Sequence, residues 1–87
     1  MDYHFTREEI LKAMDYLDQH PEKFKGRQST TYNLVYQGKE YPPILVLSVA
    51  NELKGNQELL LRDFSNSTVK AFYHLNRNGF EIELKKK

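Results

Sequence analysis

Apolar positions change their period repeatedly along this chain, and each change marks an element. Ile10, Leu11, Ala13, Met14 and Leu17 recur at helical spacing and leave Glu8, Lys12, Asp15 and Gln19 on the opposite side. Thr6-Arg7-Glu8-Glu9 ahead of them is a capping box, in which the Thr6 hydroxyl accepts from the Glu9 amide and the Glu9 carboxylate reaches back. Phe5 and Ile10 have the spacing of a hydrophobic staple around that cap, and Pro21 stops the helix. Glu22 to Ser29 is polar and reads as a loop. From Thr30 the period shortens to two, with Tyr32, Leu34 and Tyr36 alternating with Asn33 and Val35. Gln37-Gly38 fits a tight turn, because Gly38 can take a positive φ without steric cost. Lys39-Glu40-Tyr41 then returns as a strand, which Pro42 and Pro43 end because neither can donate to a ladder.

Ile44-Leu45-Val46-Leu47 has the period of neither element on its own. A helix is favoured over a buried strand because Val46, Val49, Ala50 and Leu53 share one helical face, proline suits a first turn, and Gly55 stands where a helix would end. Leu59-Leu60-Leu61 is a short apolar connection, read as a strand fragment or one turn of helix. Ser65 or Ser67 is placed to cap a third helix running to about Asn78, with Val69, Phe72, Tyr73 and Leu75 inward. Asn78-Gly79 supplies a left-handed stop, and Phe80-Glu81-Ile82-Glu83-Leu84 alternates as a last strand with Phe80, Ile82 and Leu84 inward. The expected architecture is α+β in the order α-β-β-α-α-β, a small antiparallel sheet of three strands backed by three helices. That is close to the minimum for an independently stable sheet.

Composition narrows the class. The 87 residues, 39% hydrophobic and 13% aromatic, suit one small domain over residues 1–87 and are too aromatic for a disordered chain. No apolar run approaches the roughly 20 residues of a membrane span, and the amino end lacks a signal-peptide pattern, so a soluble cytoplasmic protein is expected. Absence of cysteine excludes disulfides and thiolate chemistry. The net charge of +1 conceals an asymmetry: residues 1–22 carry two basic side chains against six acidic, a net of −4, and residues 23–87 carry eleven against six, a net of +5. Distribution, not the average, decides whether a polyanion is attracted.

No catalytic constellation emerges. His4, His20 and His74 have no metal-site spacing, and Ser29, Ser48, Ser65 and Ser67 lie in no nucleophile-elbow pattern. Glu58 and Asp63 do not define an acid–base pair, and the four glycines are scattered rather than forming a phosphate cradle. Neither an enzyme nor a cofactor is expected. DNA binding fits better: Lys39 on the hairpin, Arg62, and Lys70, His74 and Arg77 at i, i+4 and i+7 of the third helix are candidates for phosphate contact, with Lys85-Lys86-Lys87 beside them. Arg77 and Asn78 are also types that read base edges, and Tyr36 and Tyr41 could stack on bases if exposed. The plainer alternative is a solvated outer face of a packed helix. A different class of function is docking to a nuclease or ATPase subunit through Tyr3, Tyr16 and Phe24, with no nucleic-acid contact.

The succession Tyr32-Asn33-Leu34-Val35-Tyr36-Gln37-Gly38-Lys39-Glu40-Tyr41-Pro42-Pro43, an Ala50-containing helix, Asp63-Phe64-Ser65, Leu75 and Gly79-Phe80-Glu81-Ile82 resembles one family. It is similar to the amino-terminal head domain of McrA-like, modification-dependent HNH restriction endonucleases and related restriction-associated proteins. The resemblance spans roughly Ile10 to Leu84 on short, mainly structural motifs. Two positions depart from the family pattern: Ile44 replaces the lysine after Tyr-Pro-x, and Asn66-Ser67 replaces Gly-Gly after Phe-Ser. The resemblance implies a non-catalytic head module of a restriction or defence system, with nuclease chemistry in another domain.

Overall fold

The computed structural model describes residues 4–25, 32–64 and 68–84, which form three α-helices and a three-stranded antiparallel sheet. Helix α1 spans Arg7–Gln19. Its capping box is complete, with the Glu9 amide donating to the Thr6 hydroxyl at 3.2 Å and the Thr6 amide to the Glu9 carboxylate at 2.8 Å. Burial alone would push the Glu9 carboxyl up, but the Thr6 amide and the Lys54 ammonium, 3.5 Å away, outweigh it and hold the carboxyl below its ordinary range. Phe5 and Ile10, on either side of the cap, are both buried. A single 3₁₀ turn, Pro21–Phe24, follows.

Strands β1 (Tyr32–Tyr36) and β2 (Lys39–Tyr41) are joined by a two-residue turn with positive φ at both Gln37 (51°) and Gly38 (79°). That is the type I′ geometry whose twist matches a hairpin. Strand β3 (Glu81–Leu84) pairs with the other side of β1, so the order is β2-β1-β3. Leu34 lies opposite both Tyr41 and Ile82, and this face closes on the helices. Val35 lies between Glu40 and Glu81, and Asn33 opposite Glu83, on the other face. Three carboxylates therefore share the outer side of the sheet.

Helix α2 (Pro43–Leu53) is helical as favoured, with Pro43 in its first turn and the Val46 amide donating to the Pro42 carbonyl. Leu45, Val46, Leu47, Val49 and Ala50 are all buried, so it is enclosed on most sides. Its buried Ser48 is satisfied, since the hydroxyl accepts from the Leu59 amide at 2.9 Å and fixes the following loop. Leu53 is 48% exposed despite its helical register, because it stands in the last turn, beyond the core.

Helix α3 (Thr68–Asn76) packs against α2 and β3. It ends in a Schellman motif: the Phe80 amide donates to the Leu75 carbonyl and the Gly79 amide to the Asn76 carbonyl, with Gly79 at φ +85°. Leu75 and Phe80 are both buried, the hydrophobic contact that accompanies such a stop. The expected stop at Gly79 and delivery of Phe80 to the core are thus observed, although β3 itself begins one residue later. Tyr73 differs from expectation. It stands two positions from both Ala71 and Leu75, about 200° around the helix from each. Those two are fully buried, and Tyr73 is 58% exposed. Leu84, also expected inward, is 65% exposed at the end of β3. The expected Ser65 or Ser67 cap, the Asn66-Ser67 departure, the Val69 side chain, Tyr3 and the terminal lysines lie outside the described residues.

Candidate nucleic-acid interface

Between Phe64 and Phe80 the chain carries Lys70, His74 and Arg77 and no carboxylate. The geometry explains which of these can meet a ligand. Arg62 is exposed on a 3₁₀ turn, Leu61–Phe64, that packs on α3. The turn is held at one end by the Asp63 carboxylate, which accepts from the Leu60 amide at 2.7 Å, and at the other by the buried ring of Phe64. Asp63 is therefore engaged with backbone beside the basic residue.

Lys70 is exposed on α3 and the half-buried His74 lies one turn on; Arg77, expected on the helix, is exposed in the turn that follows its last residue, Asn76. The His74 ring meets Phe5 edge-on at 5.3 Å and lies 6.0 Å from Phe64, so the imidazole packs the helix onto the core. The Arg77 guanidinium sits over the Tyr73 ring at 5.6 Å. Among the described residues, no hydrogen bond or ion pair involves the Arg77 or Arg62 side chain. Four of the five expected basic positions, Arg62, Lys70, His74 and Arg77, thus belong to α3, the turn that ends it and the 3₁₀ turn packed on it, with His74 turned to the core rings.

Lys39 does not join them. It lies on β2, the sheet edge opposite β3, and its ammonium is 3.1 Å from the Asp18 carboxylate of α1. Asp18 also accepts from the Tyr41 hydroxyl at 2.9 Å. Burial first, then the Asp18 and Asp15 carboxylates, push the Tyr41 phenol up to about 12. Beside this cluster, Leu11, Met14, Asp15 and Gln37 help line a small groove of about 180 Å³ between α1 and the hairpin. Its two carboxylates make it unfavourable for phosphate.

The side chains expected to touch bases are mostly committed to structure. Asn78 donates to the Phe5 carbonyl at 3.1 Å and the His74 carbonyl at 2.7 Å. Tyr41 is buried, and the half-buried Tyr36 meets the Phe80 ring at 5.4 Å. For docking, the Tyr16 ring stacks on His20 at 4.2 Å, and Phe24 stacks 6.5 Å from Tyr41, both half-buried. Tyr73, expected inward, is instead an exposed ring on α3.

The profile of the ScoMcrA-like N-terminal head domain matches residues 3–84. The chain belongs to this head-domain family. Among solved structures, the head domain is similar to the Type IV phosphorothioation-dependent restriction endonuclease ScoMcrA, with a TM-score of 0.69 and 23% identity. That likeness concerns the fold. It covers 98% of this chain and 14% of that one, so the head domain corresponds to a small part of the larger protein. No curated protein matches the chain. No helix among the described residues is long and apolar enough to cross a membrane, and no cluster of three or more His, Asp or Glu there could hold a metal ion.

Proposed function

We propose that this head domain is a non-catalytic accessory module of a restriction-type system that binds DNA through the outer face of α3 and the Arg62 turn. The observation that carries this reading is the segregation of charge. Arg62, Lys70 and Arg77 are exposed on a stretch with no free-standing carboxylate, and Glu40, Glu81 and Glu83 collect on the outer face of the sheet. A polyanion is attracted to the first surface and repelled by the second. Family membership supplies the restriction context, and cutting would belong to another domain or subunit. Lys39, neutralised by Asp18 at the far edge of the sheet, is a secondary contact at most.

Anisotropy titration of a labelled duplex at two salt concentrations tests the reading. Each phosphate neutralised should contribute a slope of about −0.9 in log affinity against log salt. Arg62→Ala, Lys70→Ala and Arg77→Ala should each weaken binding and flatten that slope, and Lys39→Ala should do so least. Failure to bind DNA at low salt would reject the proposal in favour of protein docking.

A further inference from the structure

Tyr73 is the one Phe or Tyr side chain among the described residues that is exposed; every other such ring there is buried or half-buried. At 58% exposure it is too open to contribute to the core, and it does not stand alone. Arg77 lies over its ring one turn later, Lys70 precedes it by one turn, and Arg62 stands on the adjoining turn. We propose that Tyr73 is a base-stacking platform and that the preferred ligand of this face is DNA with unpaired bases, a single strand or a strand overhang. The inference rests on the DNA-binding reading above and gives it a substrate class.

Three physical points lead there. An aromatic ring set among cations is the arrangement by which proteins hold unpaired strands: the cations follow the phosphates, and the ring takes the π-face of a base. In a regular duplex those π-faces are covered by neighbouring base pairs, so an exposed ring on a helix surface gains a stacking partner only where a base is unstacked. Finally, the platform is fixed. His74, the residue after Tyr73, is wedged against Phe5 and Phe64, and the Schellman turn behind it anchors α3 through Leu75 and Phe80. A ring carried on an anchored helix requires little backbone ordering on binding. Charge complementarity selects the partner class, since the segment from Phe64 to Phe80 has no carboxylate to meet a basic protein surface.

The test compares three labelled probes of one sequence, a single strand, a blunt duplex and a duplex with an overhang, titrated with the full 87-residue chain at low salt. The unpaired probes should bind more tightly than the blunt duplex. Tyr73→Ala should weaken the unpaired probes by roughly tenfold and leave the duplex unchanged, while Tyr73→Phe should retain full binding, because stacking needs the ring and not the hydroxyl. Lys70→Ala and Arg77→Ala should weaken all three probes. If Tyr73→Ala changes no probe, or all three equally, the stacking inference is overturned and the basic-face reading stands on the lysine and arginine variants. If no probe binds, both fall. Unchanged melting of Tyr73→Ala confirms that its effect is on binding.

Discussion

Two arginines among the described residues lie over aromatic rings, and their surroundings make them opposites. Arg7 sits 4.8 Å from the Phe80 ring centroid and 5.9 Å from that of Tyr36, and its Nη1 donates to the Asn78 carbonyl at 2.6 Å. Arg77 sits 5.6 Å over Tyr73, and its guanidinium has no hydrogen bond or ion pair among the described residues. Beneath Arg7 is a core ring, Phe80, only 3% exposed; beneath Arg77 is the most exposed ring described. The same pair of chemical groups closes the structure at one corner and leaves an unfilled contact at the other. Residue type therefore says little about role here. The number of donors and ring faces already engaged says more.

The largest effect that sharpens this contrast is expected from the ring under Arg7. Phe80→Ala should cost about 3–5 kcal/mol, and Tyr73→Ala should stay within about 0.5 kcal/mol of the parent, both read from urea or thermal melts. Equal losses would erase the distinction between the corners. Next is Gly79→Val. Its backbone is at φ +85°, and an added Cβ would stand 3.1 Å from Arg7 Nη1. The arginine tip can move aside, so the cost, more than about 1 kcal/mol, comes chiefly from a β-branched residue in a left-handed conformation. The arginines themselves come third. Arg7→Ala should destabilise by about 1–2 kcal/mol through the lost ring contact and carbonyl bond, and Arg77→Ala by less than about 0.5 kcal/mol. A cost for Arg77 matching that of Arg7 would assign it to structure.

The last effect is silent at neutral pH and appears only in alkali. Tyr41, with its phenol raised to about 12, favours the neutral form in the folded state. Its contribution is fully present below the ordinary tyrosine value near 10 and is lost as pH rises from there through 12. Tyrosinate absorbance should show the Tyr41 phenol titrating late, and Asp18→Asn should move it back toward the ordinary range.

Local signals made most of the fold legible. The Thr6–Glu9 box, Gln37-Gly38, Pro42-Pro43 and Asn78-Gly79 each act within a few residues, and each places an element boundary where it is observed. The candidate site reads in the sequence as a helical stripe at Lys70, His74 and Arg77, but His74 packs on Phe5 and Phe64 and Arg77 stands just past the end of α3. Its remaining content depends on partners distant in sequence. Lys39 is neutralised by Asp18, and the Asn78 amide donates to the Phe5 carbonyl, across 21 and 73 residues. Tyr73 and Phe72 are neighbours of similar size and apolarity, and only the direction from which the core approaches α3 decides which is exposed. Periodicity over nine residues tolerates either choice.

Arg7 to Asn78 and Asn78 to Phe5 are contacts between residues 71 and 73 positions apart, so together they clasp the two ends of the described chain. Closing so long a loop carries a large entropic cost, and nothing local prepares it. The clasp should consequently form after the folding barrier is crossed. Asn78→Ala would then quicken unfolding while leaving the refolding rate almost unaltered, a separation readable from the two arms of a chevron plot. A small domain latched in this way depends on its last-made contacts for its lifetime more than for its speed of assembly.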